Sequence, residues 1–294
     1  MSRNTIEGVI PPVITPFTSG GEVNEKAFRG LVDFWMRHVQ GLFVCGTYGS
    51  GPLMSVEQRK RAAEIVTEQV DGQLPVIVHI GTADTQTAVL LAQHAESIGA
   101  SAVAAVPPFY YPHNDQELEN HYGEIISSVN LPVYVYNNPK TTGVSISASL
   151  LARLADLGVV GIKDSSFDVG QFYAYKRKVA KPDFNFIMGT EALVLAAMVM
   201  GARAVVSGLA NAFPEIVVEL YQACKDKDYD SAAELQKRVL DLRDVMHLVP
   251  SICAVYAMLK MRGIEAGVPK LPFAPVSEQE YDQIRNSLRR LGVL

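Results

Sequence analysis

The chain repeats a short apolar run followed by a longer amphipathic stretch, eight times, with a period of roughly 25 residues. The short runs are rich in β-branched residues and apolar along their length, which is typical of strands covered on both faces. They occupy residues 9–15, 42–45, 76–79, 102–106, 133–136, 159–162, 185–188 and 204–207. Strands that alternate with helices in this way predict an α/β protein with a parallel sheet.

The stretches between the runs carry helix start signals. Ser55, Asp84 and Asp115 each precede such a stretch, where a side-chain oxygen can accept a hydrogen bond from the first helical turn. Eight strand–helix units favour a closed (β/α)8 TIM barrel over an open doubly wound sheet, which is the alternative. No unit carries the glycine-rich dinucleotide fingerprint that many open sheets have.

The pattern changes after about residue 219, where the strand-like runs stop. Residues 226–246, 249–264 and 277–291 show helical patterns, with Pro269, Pro272 and Pro275 in a loop before the last of them. We therefore predict two units. Residues 1–224 form the barrel and carry the active site, and residues 225–294 form a C-terminal helical domain.

Composition excludes several classes of partner. The chain has 294 residues, 48% of them hydrophobic, and a formal net charge of -5, so it is globular and has no basic footprint for nucleic acid. Its most apolar helical stretch, 192–200, is interrupted by Gly201 and Arg203, too soon to cross a membrane. Three scattered cysteines indicate reduced thiols, and with no export signal near Met1 we predict a cytoplasmic protein.

Polar residues collect where the predicted strands end, which is where a TIM barrel carries its chemistry. These segments read "CGTYGSGP", "VPPFYYPH", "YVYNNPKTTG", "IKDSS", "MGTEA" and "VSGLAN". Hydroxyl groups dominate them. No His, Asp or Glu recurs at metal-ligand spacing, and no glycine-rich segment ends in Lys-Ser or Lys-Thr. We predict a small-molecule substrate, and neither a metal nor a cofactor.

Lys163 is the exception among these residues. A lysine at a strand end can simply lay its stem along apolar surface, but Lys163 follows Ile162 among mostly uncharged neighbours. Desolvation lowers the pKa of an ammonium group, and the neutral amine attacks carbonyl groups. A fall in pKa from about 10.4 to about 7 corresponds to roughly 4–5 kcal/mol. Tyr136 ends the preceding strand and supplies a hydroxyl beside the amine, whereas Tyr134 fits a core position.

Five segments together carry a family resemblance: "GTYGSGP", "PPFYYP", "YNNPKTTG", "GIKDSS" and "SGLANAFPE". In this order and spacing the sequence resembles the class I pyruvate-dependent aldolases, which include dihydrodipicolinate synthase and N-acetylneuraminate lyase. The resemblance implies that Lys163 forms an imine with pyruvate or a 2-oxo acid and that Tyr136 shuttles protons. It further implies that Thr47 and Tyr110 relay them, with Tyr110 donated by a neighbouring subunit of a homotetramer built from dimers.

Two departures bear on the substrate. Synthases that act on aspartate semialdehyde resemble "YNxPxRTG", and Thr141 stands here in place of the arginine. Ser50 replaces the usual glutamate of the strand-two loop. The sequence is more similar to the 2-keto-3-deoxygluconate aldolase branch. Some enzymes of that branch accept phosphorylated sugar acids and carry basic residues at two places that His113 and His247 occupy here. Neutral imidazole binds phosphate poorly, so the resemblance favours a substrate without phosphate.

The predicted reaction is reversible aldol cleavage of a 2-keto-3-deoxy sugar acid to pyruvate and an aldehyde. The resemblance implies that Thr47 and Tyr48 hold the carboxylate. We further expect a distal pocket of polar groups that contacts substrate hydroxyls through Ser165, Gly189, Thr190, Glu191 and Ser207. For Glu191, a charge at the start of the next helix is an equal alternative. Other reactions open to the same lysine are a 4-hydroxy-tetrahydrodipicolinate synthase-type condensation and dehydration of a keto-deoxy sugar acid. A binding protein without turnover is the third hypothesis.

Overall fold

The computed structural model describes residues 6–294. Eight parallel strands form one sheet in the order β1-β8-β7-β6-β5-β4-β3-β2. Their bounds are β1 Gly8–Ile10, β2 Leu42–Val44, β3 Val76–His79, β4 Ala102–Ala105, β5 Val133–Asn137, β6 Gly161–Asp164, β7 Asn185–Met188 and β8 Ala204–Val206. Beyond β1 the chain bridges to β2, since Val13 N donates to Phe43 O (3.0 Å) and Phe43 N to Pro11 O (3.1 Å). The predicted barrel is confirmed.

Two strands differ from their predicted bounds by more than one residue at an end. The first strand ends at Ile10 and not at Thr15, because Pro11 and Pro12 have no N–H to donate to a ladder. The sixth strand runs from Gly161 to Asp164 and not over 159–162. Lys163 therefore lies within the hydrogen-bonded sheet and not beyond its end.

Helices alternate with the strands and cover the outside of the barrel. They are α1 Glu25–Met36, α2 Val56–Val70, α3 Thr85–Ser97, α4 Asp115–Ser128, α5 Pro139–Thr142, α6 Ala148–Leu157, α7 Val169–Lys178, α8 Val194–Val199 and α9 Pro214–Lys225, with 3-10 turns at Gly51–Leu53, Glu191–Leu193 and Leu209–Asn211. Ser55 and Asp84 cap α2 and α3 as predicted. The cap of α4 is Asn114 and not Asp115, because the Asn114 side chain accepts from Glu117 N (3.0 Å).

The core has two layers because strand residues alternate in direction. Outward-facing strand residues pack against the helices, where Trp35 of α1 is fully buried and donates to Asn211 O (2.9 Å). Inward-facing residues fill the barrel with a separate apolar cluster that includes Ile10, Phe43, Tyr134 and Tyr136. The barrel interior is thus a packed core, and the carboxyl ends of its strands, where this fold carries its chemistry, are called the mouth below.

Three further helices follow the barrel: α10 Tyr229–Met246, α11 Ser251–Met261 and α12 Glu278–Arg290. They confirm the predicted C-terminal helices to within a few residues, whereas the division of the chain at residue 224 stays a prediction. Leu242 and Met246 of α10 are buried, which fixes this helix against the barrel. Among residues 6–294 no single helix is long and apolar enough to cross a membrane, although α10 and α11, bent by 104°, pass that test as a pair.

Candidate active site

Lys163 lies inside the barrel and is only 3% exposed. Its register partner on β5 is Tyr136. The Nζ atom lies 3.6 Å from the centroid of the Tyr136 ring and 4.1 Å from that of Phe43. Within residues 6–294 no carboxylate pairs with this amine, so aromatic faces provide its main electrostatic contact.

Burial controls the charge of this lysine. Removal from water lowers the pKa of Lys163 below its ordinary value, and the nearby Tyr136 hydroxyl, which raises it, offsets only part of the effect. An amine without an ion-pair partner in an apolar interior disfavours the charged form. The neutral nucleophile is therefore more populated than for a lysine in water, as the sequence predicted.

Tyr136 is buried, and its hydroxyl has two protein partners. Asn138 Nδ2 donates to it over 3.1 Å, and Thr47 Oγ1 lies 3.4 Å away. Burial raises the pKa of Tyr136, but the charge of Lys163 and the hydrogen bond from Thr47 outweigh that effect, so the pKa falls below its usual value. Tyr136 thus contacts both Thr47 and Lys163. Its hydroxyl is suited to proton transfer at the amine.

The loop after β2 is tightly folded. Cys45 and Ser50 have left-handed backbone angles (φ 60° and 56°), and a Cβ on Gly51 would lie 1.9 Å from Cys45 O. This loop carries Tyr48, whose hydroxyl points to Met246 Sδ of α10 at 3.9 Å and whose pKa is raised by burial. Tyr48 therefore reaches across the mouth from the second strand to the C-terminal helices.

The predicted distal residues lie together around the ends of β6, β7 and β8, and they largely bond one another. Ser165 Oγ donates to Gly189 O (3.0 Å), and Thr190 Oγ1 accepts from Ala192 N (3.2 Å). Glu191 accepts from the Ser207 hydroxyl and from Gly208 N, each at 3.0 Å. Their role as substrate contacts stays a prediction.

Tyr110 is not brought to the other site residues. It follows β4 with a left-handed backbone (φ 85°), its residue surface is 85% exposed, and its ring packs edge-on against Tyr111 with centroids 5.0 Å apart. Among residues 6–294 its hydroxyl forms no hydrogen bond with Thr47 or Tyr136. A large aromatic held outward in this way is available to a second subunit.

Sequence reasoning missed three neighbours of the site. His79 closes β3, where Nδ1 lies 3.1 Å from Cys45 O and the ring lies edge-on to Tyr136 with centroids 5.7 Å apart. Burial, Arg59 and Lys163 hold the pKa of His79 well below its ordinary value, so the imidazole is neutral. His79 could have been predicted as a site neighbour because it ends an apolar run. Asn138 could have been predicted in the same way, since it follows Tyr136 in the segment "YNNP". Arg243 of α10 had no such local signal.

The arrangement of a buried lysine, a tyrosine and a threonine inside a barrel has counterparts among known proteins. The sequence model of the Dihydrodipicolinate synthetase family matches residues 5–291. The chain belongs to this family. It is thereby a class I pyruvate-dependent aldolase, in agreement with the sequence resemblance.

Relatives of this family member cover nearly its whole length. The probable 2-dehydro-3-deoxy-D-pentonate aldolase of Escherichia coli is 33% identical over 294 residues, which is 98% of each chain. The 4-hydroxy-tetrahydrodipicolinate synthase of Archaeoglobus fulgidus is 32% identical over 289 residues, covering 98% of this chain and 99% of that one. The crystal structure of YagE, a prophage protein of Escherichia coli in complex with pyruvate, matches with a TM-score of 0.94 and 27% identity, over 98% and 99% of the two chains.

Proposed function

We propose that the protein cleaves a 2-keto-3-deoxy sugar acid reversibly to pyruvate and an aldehyde, through an imine on Lys163. The observation that carries this proposal is the buried Lys163 amine, which lies 3.6 Å from the centroid of the Tyr136 ring and has no carboxylate partner among residues 6–294. The aldolase relative of Escherichia coli and the pyruvate bound in YagE support the substrate class.

The chemistry begins with addition of the neutral Lys163 Nζ to the C2 carbonyl of the keto acid, followed by loss of water to give a protonated imine. Tyr136 gives its proton to the departing water, and the resulting phenolate then removes the proton from the C4 hydroxyl. The C3–C4 bond breaks, its electron pair passes to the imine as an enamine, and the aldehyde leaves. A proton added to C3 and hydrolysis of the imine release pyruvate and restore the amine. General acid–base help of this kind contributes about 10²–10⁴-fold.

The strand-two loop is suited to the keto-acid carboxylate. In the described chain, the backbone amides of Thr47 and Tyr48 donate to no backbone acceptor, and the loop carries no charged side chain. Uncharged amides can hold an anion without a second cation that would further shift the proton equilibrium of Lys163. Thr47 then serves both the carboxylate and the hydroxyl of Tyr136.

Condensation of pyruvate with aspartate semialdehyde is the second candidate, and the synthase of Archaeoglobus fulgidus favours it. Thr141 weakens it, since its hydroxyl donates to Asn138 O (3.2 Å) and offers no positive charge for a second carboxylate. Dehydration would use the same imine. A coupled assay with lactate dehydrogenase separates the three reactions, because cleavage releases pyruvate, condensation consumes added pyruvate and dehydration does neither.

We further propose that the enzyme is a homotetramer built from dimers in which Tyr110 of one subunit extends the proton relay of its partner. The outward position of Tyr110 supports this assignment. Residues 225–294 would form the helical domain beside the barrel. A cytoplasmic location fits the three cysteines, which are unpaired and buried.

Borohydride reduction in the presence of pyruvate, followed by mass spectrometry, tests the imine. We expect a pyruvate adduct on Lys163 and none in Lys163→Met. Lys176→Met is the matched control, since Lys176 also lies over an aromatic ring, 4.6 Å from the Phe186 centroid, and burial lowers its pKa too. Absence of an adduct in the wild type, or an adduct only at another lysine, contradicts the proposal.

A further inference from the structure

Arg243 reaches the mouth of the barrel from α10, far from the strands in sequence. Its Nε lies 3.2 Å from Glu191 Oε1, and its guanidinium carbon lies 5.4 Å from the centroid of the Phe167 ring. Its side chain is 21% exposed. Within residues 6–294 the two terminal amino groups of Arg243 have no hydrogen-bond acceptor. Its Nε is buried and, among the described residues, also forms no hydrogen bond, so the contact with Glu191 is an ion pair and not a hydrogen bond.

The location of Arg243 connects it to the reacting groups. Glu191 follows β7 and Phe167 follows β6, three residues after Asp164. Tyr48 connects them to the site, because it lies against Gly208 and Met246 and is close enough for Glu191, Arg243 and Tyr136 all to act on its pKa. Arg243 thus lies beside Glu191 and Ser207, the residues that the proposed function assigns to the aldehyde portion of the substrate.

The two members of the Glu191–Arg243 pair differ in how fully their hydrogen-bonding groups are used. Glu191 is 4% exposed and already accepts hydrogen bonds from the Ser207 hydroxyl and from Gly208 N, so its charge is compensated on the inner side. The guanidinium group of Arg243, in contrast, uses only Nε in this pair, and its two terminal amino groups have no acceptor among residues 6–294. A carboxylate that is well hydrogen-bonded can fix the orientation of an arginine without consuming its terminal donors.

Phe167 contributes a second restraint. Its backbone is in the left-handed region (φ 63°), which a bulky residue rarely adopts, and its residue surface is 49% exposed. The ring is therefore held outward beside the guanidinium instead of packing into the core. An arginine that lies over an aromatic ring and is ion-paired through Nε has less conformational freedom to lose on binding than a solvated one.

Building on the proposed function, we propose that Arg243 binds a carboxylate at the far end of the substrate. The substrate would then be a 2-keto-3-deoxy dicarboxylic acid, and the released aldehyde would carry an acid group. A planar fork with two unpaired amino groups matches a carboxylate in a bidentate manner, which a hydroxyl does not. The keto-acid carboxylate would be held separately, by the backbone amides of Thr47 and Tyr48, which have no backbone acceptor in the described chain.

The test compares two six-carbon 2-oxo acids that differ only at the far end, 2-oxoadipate and 2-oxohexanoate, by calorimetric Kd. We expect the wild type to bind 2-oxoadipate about tenfold more tightly. Arg243→Gln should abolish this preference, and Arg243→Lys, a point charge without the fork, should retain part of it. The matched control is Arg262→Gln, since Arg262 has 22% side-chain exposure, pairs with Glu215 and lies 5.2 Å from the Phe213 centroid.

Equal Kd values for the two acids in the wild type, or a preference that survives in folded Arg243→Gln, would overturn the proposal. If Arg243→Gln does not melt cooperatively, the wild-type ratio and Arg243→Lys decide the matter. A turnover assay on two 2-keto-3-deoxy acids, one ending in carboxylate and one in a hydroxymethyl group, should show the same preference in kcat/KM. Failure of pyruvate trapping on Lys163 with the binding preference intact would remove the proposed function and leave this inference standing.

Discussion

Lys163 and Tyr136 are register partners on adjacent parallel strands, and the Lys163 Nζ lies 3.6 Å from the centroid of the Tyr136 ring. Both residues belong to the hydrogen-bonded sheet and both are buried. Their relative position is therefore set by strand pairing and not by loops, which favours a fixed geometry for proton transfer. The pKa of each group is lowered, Lys163 by burial and Tyr136 by the charge of Lys163 and its hydrogen bonds against the effect of burial.

Replacement of Lys163 by methionine should abolish turnover and stabilise the fold. The folded-state pKa of Lys163 lies below its unfolded value, so the unfolded chain binds more protons and stability is lost toward low pH. Methionine removes that penalty, and we expect a gain of about 1 kcal/mol at pH 7. Because the penalty fades as pH rises toward the unfolded pKa, the gain should shrink at pH 10. Thermal melting at both pH values measures it, and a less stable variant at pH 7 would show that burial does not strain this amine.

Removal of the Tyr136 hydroxyl should slow the chemistry while leaving the imine accessible. Tyr136→Phe keeps the ring against Phe43 and His79, and we expect kcat to fall about 10²–10⁴-fold. Pyruvate trapping on Lys163 should persist. Tyr134→Phe is the control, since Tyr134 faces the same interior and its hydroxyl bonds Asn185. A similar loss of kcat in both variants would point to packing instead of proton transfer.

Thr47 should set the basic limb of the pH–rate profile. Its hydrogen bond lowers the pKa of Tyr136, so Thr47→Val should raise that pKa and move the basic limb of kcat/KM to higher pH. Thr47→Ser, which retains the hydroxyl, should restore the wild-type position of the limb. A valine variant that lowers kcat/KM equally at every pH would assign Thr47 to binding alone.

Tyr110 should act in the site of a neighbouring subunit, because it is 85% exposed and, among residues 6–294, forms no hydrogen bond with Thr47 or Tyr136. Lys163→Met and Tyr110→Phe should each be weakly active or inactive. Subunits of the two variants mixed by reversible denaturation should regain activity, since some hybrid sites then hold Lys163 from one chain and Tyr110 from the other. No recovery in verified hybrid oligomers would place the action of Tyr110 within its own chain.

The sequence predicted the barrel and its central pair because both follow from local patterns. Eight apolar runs specify eight parallel strands, and consecutive strands are neighbours, so Tyr136 and Lys163 had to lie side by side. The exact strand limits were less predictable, since Pro11 and Pro12 end β1 early while the chain continues toward β2.

Contacts between distant elements could not be predicted in the same way. Phe43 and His79 surround the amine only because the barrel closes, and no local pattern records that closure. Arg243 looks in sequence like a solvated charge on α10, and only the packing of that helix brings it to Glu191. For the same reason the sequence could not show that the Ser207 hydroxyl donates to Glu191, since these residues follow different strands.

The central claim is that Lys163 is an amine with a lowered pKa in the free enzyme. Its titration can be followed directly by the pH dependence of its rate of alkylation by a small neutral reagent, with mass spectrometry reading Lys163 and surface lysines in the same sample. We expect a midpoint for Lys163 clearly below that of the surface lysines, and the acid limb of kcat/KM should fall near the same pH. A midpoint at the ordinary lysine value of about 10.4 would contradict it.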